Sequence, residues 1–82
     1  MKVYFEDRYE RLREIADVNT KPEAFKAIAA FLDAHNYKSY YTRTWIEETK
    51  GKVYITCDVG SHTEFFKIEF PNREAASKFL QS

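Results

Sequence analysis

Two runs in the second half of the chain alternate apolar and polar residues with strict period two, which restricts the fold more than any other feature. Lys52 to Val59 sets Val53, Ile55, Cys57 and Val59 against Tyr54, Thr56 and Asp58. Glu64 to Phe70 sets Phe66, Ile68 and Phe70 against Phe65, Lys67 and Glu69. A helix would scatter these residues around its surface, whereas a strand sends neighbours to opposite faces. With Gly60-Ser61 between them, the runs predict an antiparallel hairpin over 52–59 and 64–70 with one face buried. A third run, 39–47, is dense in Tyr, Thr, Trp and Ile and leads into a Lys50-Gly51 turn, so it also reads as a strand.

Helical signals flank these strands. Thr20-Lys21-Pro22-Glu23 is a capping box: the Thr20 hydroxyl accepts from the Glu23 N–H, the Glu23 carboxylate returns to the Thr20 N–H, and Pro22 sits where its missing N–H costs nothing. Phe25, Ile28, Ala29 and Leu32 recur at helical spacing with Phe31 at the edge of the stripe, and His35-Asn36 closes the element. The spacing predicts a helix over 21–36, with His35 complementing the dipole at its end. Pro71 ends the sheet, and Asn72 caps a short helix through Ala75, Ala76, Phe79 and Leu80.

The first twenty residues fit two patterns. Leu12, Ile15, Ala16 and Val18 suit a helix, while Leu12, Glu14, Ala16 and Val18 alternate as in a strand. A weak internal repeat favours strands: Lys2-Val3-Tyr4-Phe5 parallels Lys52-Val53-Tyr54-Ile55, and each is followed by Glu-Ala and Phe-Leu pairs. Strands over 2–6 and 12–18 complete the order ββαβββα. The expected architecture is an α+β two-layer sandwich, a single domain over 1–82, with two helices on one face of a mostly antiparallel sheet. Its inner side carries Val3, Phe5, Ile46, Val53, Ile55, Val59, Phe66, Ile68 and Phe70, with Tyr40 from the third strand.

Composition narrows the function classes. Thirteen basic residues balance thirteen acidic ones, which disfavours a strongly electrostatic nucleic-acid or membrane binder. One cysteine excludes a disulfide framework and a Cys-rich zinc site, and its place on an apolar strand face makes Cys57 a small buried hydrophobe. The longest apolar run, Ala27 to Leu32, is far short of the roughly 20 residues of a membrane span, so a cytoplasmic protein is expected. Ser61 and His62 with Asp58 and Glu64 invite a catalytic-triad or metal-site reading. All four lie on or beside one tight turn, where polar side chains bond local backbone rather than form a pocket. No Gly-rich phosphate loop is present. The expectation is no enzyme, no cofactor and no metal.

The sheet's other face is more informative. If Val3, Phe5, Ile55, Phe66 and Ile68 point inward, then Tyr4, Tyr54, Phe65 and Lys67 point outward, and keeping Arg43 out of a thin core turns Tyr41 and Trp45 out with it. Three readings compete for such a face. The rings pair across strands purely structurally, or they form a protein interface, with a foreign partner or with a second copy of the chain, since Tyr, Trp and Arg dominate binding hot spots, or they stack single-stranded nucleic acid. The acidic neighbours Glu47, Asp58 and Glu69 weaken the last. The candidate contact residues are Tyr41, Arg43, Trp45, Tyr54 and Phe65, with His62 on the adjacent turn.

Lys38-Ser39-Tyr40-Tyr41-Thr42-Arg43-Thr44-Trp45 and Asp58-Val59-Gly60-Ser61-His62-Thr63-Glu64-Phe65-Phe66 resemble stretches of small uncharacterised proteins of phages and prophages of Gram-positive bacteria. The similarity extends over 22–66. It implies a genomic setting rather than an activity: small accessory phage proteins bind and block host proteins, restriction and CRISPR machinery among them. On that reading, Gly60, Ser61, His62 and Thr63 are contact candidates as well as turn residues.

Overall fold

The computed structural model describes residues 1–39 and 42–82. Its elements are β1 (Lys2–Glu6), β2 (Leu12–Asp17), α1 (Lys21–Ala34), β3 (Arg43–Thr49), β4 (Lys52–Asp58), β5 (Phe65–Phe70) and α2 (Arg73–Gln81). The strands form one sheet in the order β2-β1-β5-β4-β3, with every neighbouring pair antiparallel. The order ββαβββα and the two-layer α+β architecture are those the patterning predicts.

Cross-strand register shows why the alternation had to be strict. Val3 faces Ile68 and Ile68 faces Ile55, and all three are fully buried in a single inward row. The next row sets Phe5 against Phe66 and Phe66 against Cys57. A slip of one residue in β5 would exchange Phe66 and Ile68 for Lys67 and Glu69. The helices close this side with Ala24, Ile28, Ala76 and Phe79. Aromatic contacts bind the layers: Phe31 of α1 meets Phe5 and Phe66 at 4.7 and 5.6 Å between ring centres, and Phe79 of α2 meets Phe70 at 5.1 Å.

The caps form largely as the sequence dictates. Thr20 Oγ1 accepts from the Glu23 N–H at 3.3 Å, and the Thr20 hydroxyl donates to the Glu23 carboxylate at 2.8 Å in place of the expected bond from the Thr20 N–H. At the other end, the Tyr37 N–H donates to the Leu32 carbonyl and the Asn36 N–H to the Asp33 carbonyl, with Asn36 left-handed at φ 56°. That is a Schellman ending, and it stops α1 at Ala34, two residues before the expected boundary. Asn72 Oδ1 accepts from the Ala75 N–H at 2.8 Å and starts α2.

Two expectations are revised, and one falls on residues that are not described. β3 begins at Arg43 rather than at 39 and continues through Thr49, because its pairing with β4 runs unbroken to Lys52. Tyr40 and Tyr41, expected on that strand, lie outside the described residues. Ala29 is exposed and Ala24 takes its place in the core. The cause is that α1 packs over the β1–β2 side of the sheet, so the stripe that meets the core runs along Ala24, Phe25, Ile28, Phe31 and Leu32 and leaves Ala29 outside it.

The β3–β4 connection carries a local cost. Thr49 pairs with Lys52, leaving Lys50 and Gly51 as a two-residue loop with φ of 53° and 76°. Two positive φ values mark a type I′ turn, for which Asn-Gly is the favoured sequence, whereas a Lys Cβ in the left-handed region is strained. Lys50→Asn is expected to stabilise the protein by about 0.5–1 kcal/mol. The check is a higher urea midpoint with an unchanged m-value.

Candidate functional site

Alternation turns Tyr4 and Glu6 of β1, Trp45 and Glu47 of β3, Tyr54 and Thr56 of β4, and Phe65, Lys67 and Glu69 of β5 away from the helices. In one row Trp45 faces Thr56, Thr56 faces Lys67, and Lys67 faces Tyr4. The surface is hollow rather than flat. A trough of about 520 Å³ is lined by Glu10 and Leu12 from one edge and by Trp45, Thr49 and Lys50 from the other. Opposite edges meet around one hollow because strand twist lifts diagonal corners of the sheet towards the same side.

The floor is a closed polar network. Lys67 is 6% exposed, and its Nζ lies 2.8 Å from Glu47 Oε1, 3.5 Å from Glu6 Oε2 and 5.4 Å from the centre of the Tyr54 ring. The Thr56 hydroxyl donates to the same Glu47 oxygen at 2.6 Å. The Lys67 and Thr56 bonds together hold the Glu47 carboxyl below its ordinary range. Burial alone would lower the Lys67 ammonium, but its bond to Glu47 and the charges of Glu6 and Glu47 outweigh that effect and raise it. Beside this network the Tyr4 hydroxyl donates to Glu69 Oε1 at 3.1 Å, and the Tyr4 ring meets Tyr54 edge-on at 6.3 Å. Burial first, then the Glu69 bond, pushes the Tyr4 phenol up to about 12.

Tyr54 therefore sits on the outer face, as alternation requires, yet is 5% exposed: Lys67, Tyr4 and Glu47 close over it. Thr56 and Lys67 are buried in the same way. Among the described residues the most accessible ring of the face is Trp45, 37% exposed, which meets Phe65 edge-to-face at 6.5 Å. Arg43 binds Asp58 at 3.0 Å and holds its guanidinium 5.8 Å from the Trp45 ring.

Trp45, Tyr54 and Phe65 thus line one trough, with Arg43 beside it, while Tyr41 lies outside the described residues. His62 is exposed on the turn before Phe65 and does not line the trough. That turn is built by its polar side chains. The Gly60 N–H, at φ 96°, donates to Asp58 Oδ1 at 2.9 Å, and Ser61 Oγ accepts from the N–H groups of Glu64 and Thr63 at 3.2 and 3.4 Å. Ser61 therefore serves the backbone, and Asp58 serves both the Gly60 N–H and the Arg43 guanidinium. Cys57 is fully buried, and desolvation pushes its thiol up to about 12. Among the described residues no three His, Cys, Asp or Glu side chains converge as metal ligands, and no helix is long and apolar enough to cross a membrane.

Sequence reasoning missed the β1–β2 hairpin as part of this surface. Leu12 is 40% exposed at the trough, and Tyr9 is 70% exposed with the Arg11 guanidinium 5.1 Å from its ring. Asp7 shapes this connection by accepting from the N–H groups of Tyr9 and Arg11 at 2.8 and 3.1 Å. The available signal was Leu12 and Tyr9 standing in an otherwise charged segment, Glu6 to Arg13.

Lys67→Met leaves two carboxylates facing each other on the floor, and a cost of about 1–2 kcal/mol at pH 7 is expected, below that of a fully buried pair because Glu47 is partly wet. Glu47 titrates below its ordinary value, so its contribution is complete above that value and is lost as pH falls through the lowered one. Lys67 titrates above its ordinary value, so its contribution is complete below that value and is lost as pH rises through the raised one. Urea unfolding of the two proteins should therefore differ most near neutrality and converge in acid. No family model, curated protein or solved structure matches the chain.

Proposed function

We propose that this chain is a non-enzymatic binding module whose trough takes a protein partner. The observation that carries the reading is the Trp45–Phe65 pair: two rings in edge-to-face contact, one of them 37% exposed, beside a floor whose polar groups are already satisfied. A partner that covers the rings removes apolar surface from water, and it need not strip or reorder the Lys67 network beneath them. Trp and Arg are the residues that most often dominate protein interfaces, and here Arg43 and Trp45 lie side by side. The phage accessory setting, with a host defence factor as target, enters this proposal only through the resemblance of 38–45 and 58–66.

Single-stranded nucleic acid is the second reading, favoured by ring-bearing strands and by Lys50 and Lys52 at one end of the trough. Glu6, Glu10 and Glu47 offset Lys50, Lys52 and Lys67 in the lining of the same hollow, so it carries no net positive charge to draw phosphate, and this reading stands second to a protein partner.

The chain has a single tryptophan, so its fluorescence reports on the surroundings of Trp45 alone. Trp45→Ala should weaken retention of a bound protein by about 2 kcal/mol, or roughly 30-fold. The same change should cost less than about 1 kcal/mol of stability, because the residue is partly wet. The test is affinity capture from bacterial lysate with wild type, Trp45→Ala and Phe65→Ala. Loss of the same protein by both variants, with melting temperatures preserved, supports the reading. Equal capture by all three overturns it, and Trp45 quenching by single-stranded DNA or RNA that fades steeply with salt selects the alternative.

A further inference from the structure

The sheet ends in two edge strands, and they are not equally protected. In β2 the register shifts opposite Val3 and Tyr4, which leaves Ile15 as an extra residue, and such a bulge blunts an edge against further pairing. β3 has no such device: all seven residues from Arg43 to Thr49 pair with β4 without a break, and the strand contains neither Pro nor Lys nor Gly. Its one inward charge, Glu48, is neutralised by Arg73 at 2.7 Å. Its outer edge is therefore a regular template for another strand.

We infer that β3 pairs antiparallel with β3 of a second copy, on a two-fold axis through Trp45, to join two sheets edge to edge. Self-pairing restricts the register, since the residue on the axis must face its own counterpart. With the axis at Trp45, Arg43 faces Glu47 of the second copy, Glu47 faces Arg43 of the second copy, and the two indoles meet in the centre. All three side chains lie on the outer face, so the cross-strand pairs are in reach of one another. With the axis at Glu47, two carboxylates stand directly opposite, which is destabilising. With the axis at Ile46, Trp45 faces Glu47 of the second copy and no opposite charges meet. Charge complementarity thus selects one register of the three. The Arg43 and Glu47 side chains are 67% and 41% exposed, and a guanidinium with five donors can keep its Asp58 bond while it reaches Glu47 of the second copy.

This inference uses the edge of the sheet and does not rest on what the trough binds. It has a consequence for the trough nonetheless, because the two hollows would lie side by side on one continuous outer face.

The experiment takes the wild-type chain and three single-cysteine additions. Sedimentation over a concentration series reaching about 1 mM should show a monomer–dimer equilibrium, with tryptophan emission moving to shorter wavelength as the indoles pack. Directly opposed residues in an antiparallel pair are about 4.5–5.5 Å apart between Cα atoms, within disulfide range. On mild oxidation Trp45→Cys should therefore cross-link more than Ile46→Cys or Phe65→Cys, while buried Cys57 does not compete. A wild-type chain that stays monomeric with constant emission overturns the inference. Strongest cross-linking at Ile46→Cys would assign a different register, and at Phe65→Cys a face-to-face dimer; either result also overturns it.

Discussion

Two short helices cover one side of a five-stranded sheet, so the other side has to satisfy its own polar and apolar groups without a second layer. Lys67 is the residue through which it does so. An ammonium 6% exposed would be costly if unpaired, and here it is held by Glu47 and Glu6 from two different strands while its charge lies over the Tyr54 ring. The network fixes β1, β3, β4 and β5 against one another on the outer side, as Val3, Ile55 and Ile68 fix the strands on the inner side. It also spares the sheet an exposed floor of rings. What remains exposed is the rim.

That division between floor and rim decides what kind of recognition the face suits. A floor already closed by hydrogen bonds offers little reward to a ligand that must displace them, since each exchanged bond returns about what it costs. The rim offers rings, and their burial has no such penalty. On the proposed reading, apolar contact with a protein surface suits the face better than a small polar ligand that would seek the centre of the trough.

Which residues face outward was legible in the chain, because period-two alternation needs no knowledge of which strands are neighbours. Burial on that face was not. Tyr54 and Lys67 are covered only because β5 lies between β1 and β4 and β3 lies beyond β4, which brings Glu6 and Glu47 to the same ammonium. No local pattern encodes that neighbourhood. The same holds for Ala29 and Ala24: helical periodicity locates a stripe, but which side of the stripe is buried depends on where α1 lands across β1 and β2. The caps at Thr20, Asn36 and Asn72 were legible because their chemistry is confined to a few consecutive residues.

Insertion of β5 between β1 and β4 also links the two ends of the chain. Val3 cannot find Ile68 until the last strand is in place, so the opening hairpin β1–β2 and the β3–β4 hairpin are joined only by the final strand. Long-range pairing of this kind delays the reward for closing the intervening loop and slows folding relative to a chain of local hairpins. Until it closes, β1 and β4 each present an unpaired edge, and the outer-face charges stand apart. The Glu6–Lys67–Glu47 set spans that junction, with one member on β1, one on β5 and one on β3. It forms only when all three strands are assembled in register. A single misplaced residue in β5 would send Lys67 into the apolar layer and leave both carboxylates without a counter-charge, so the same group that closes the outer face also penalises the wrong fold.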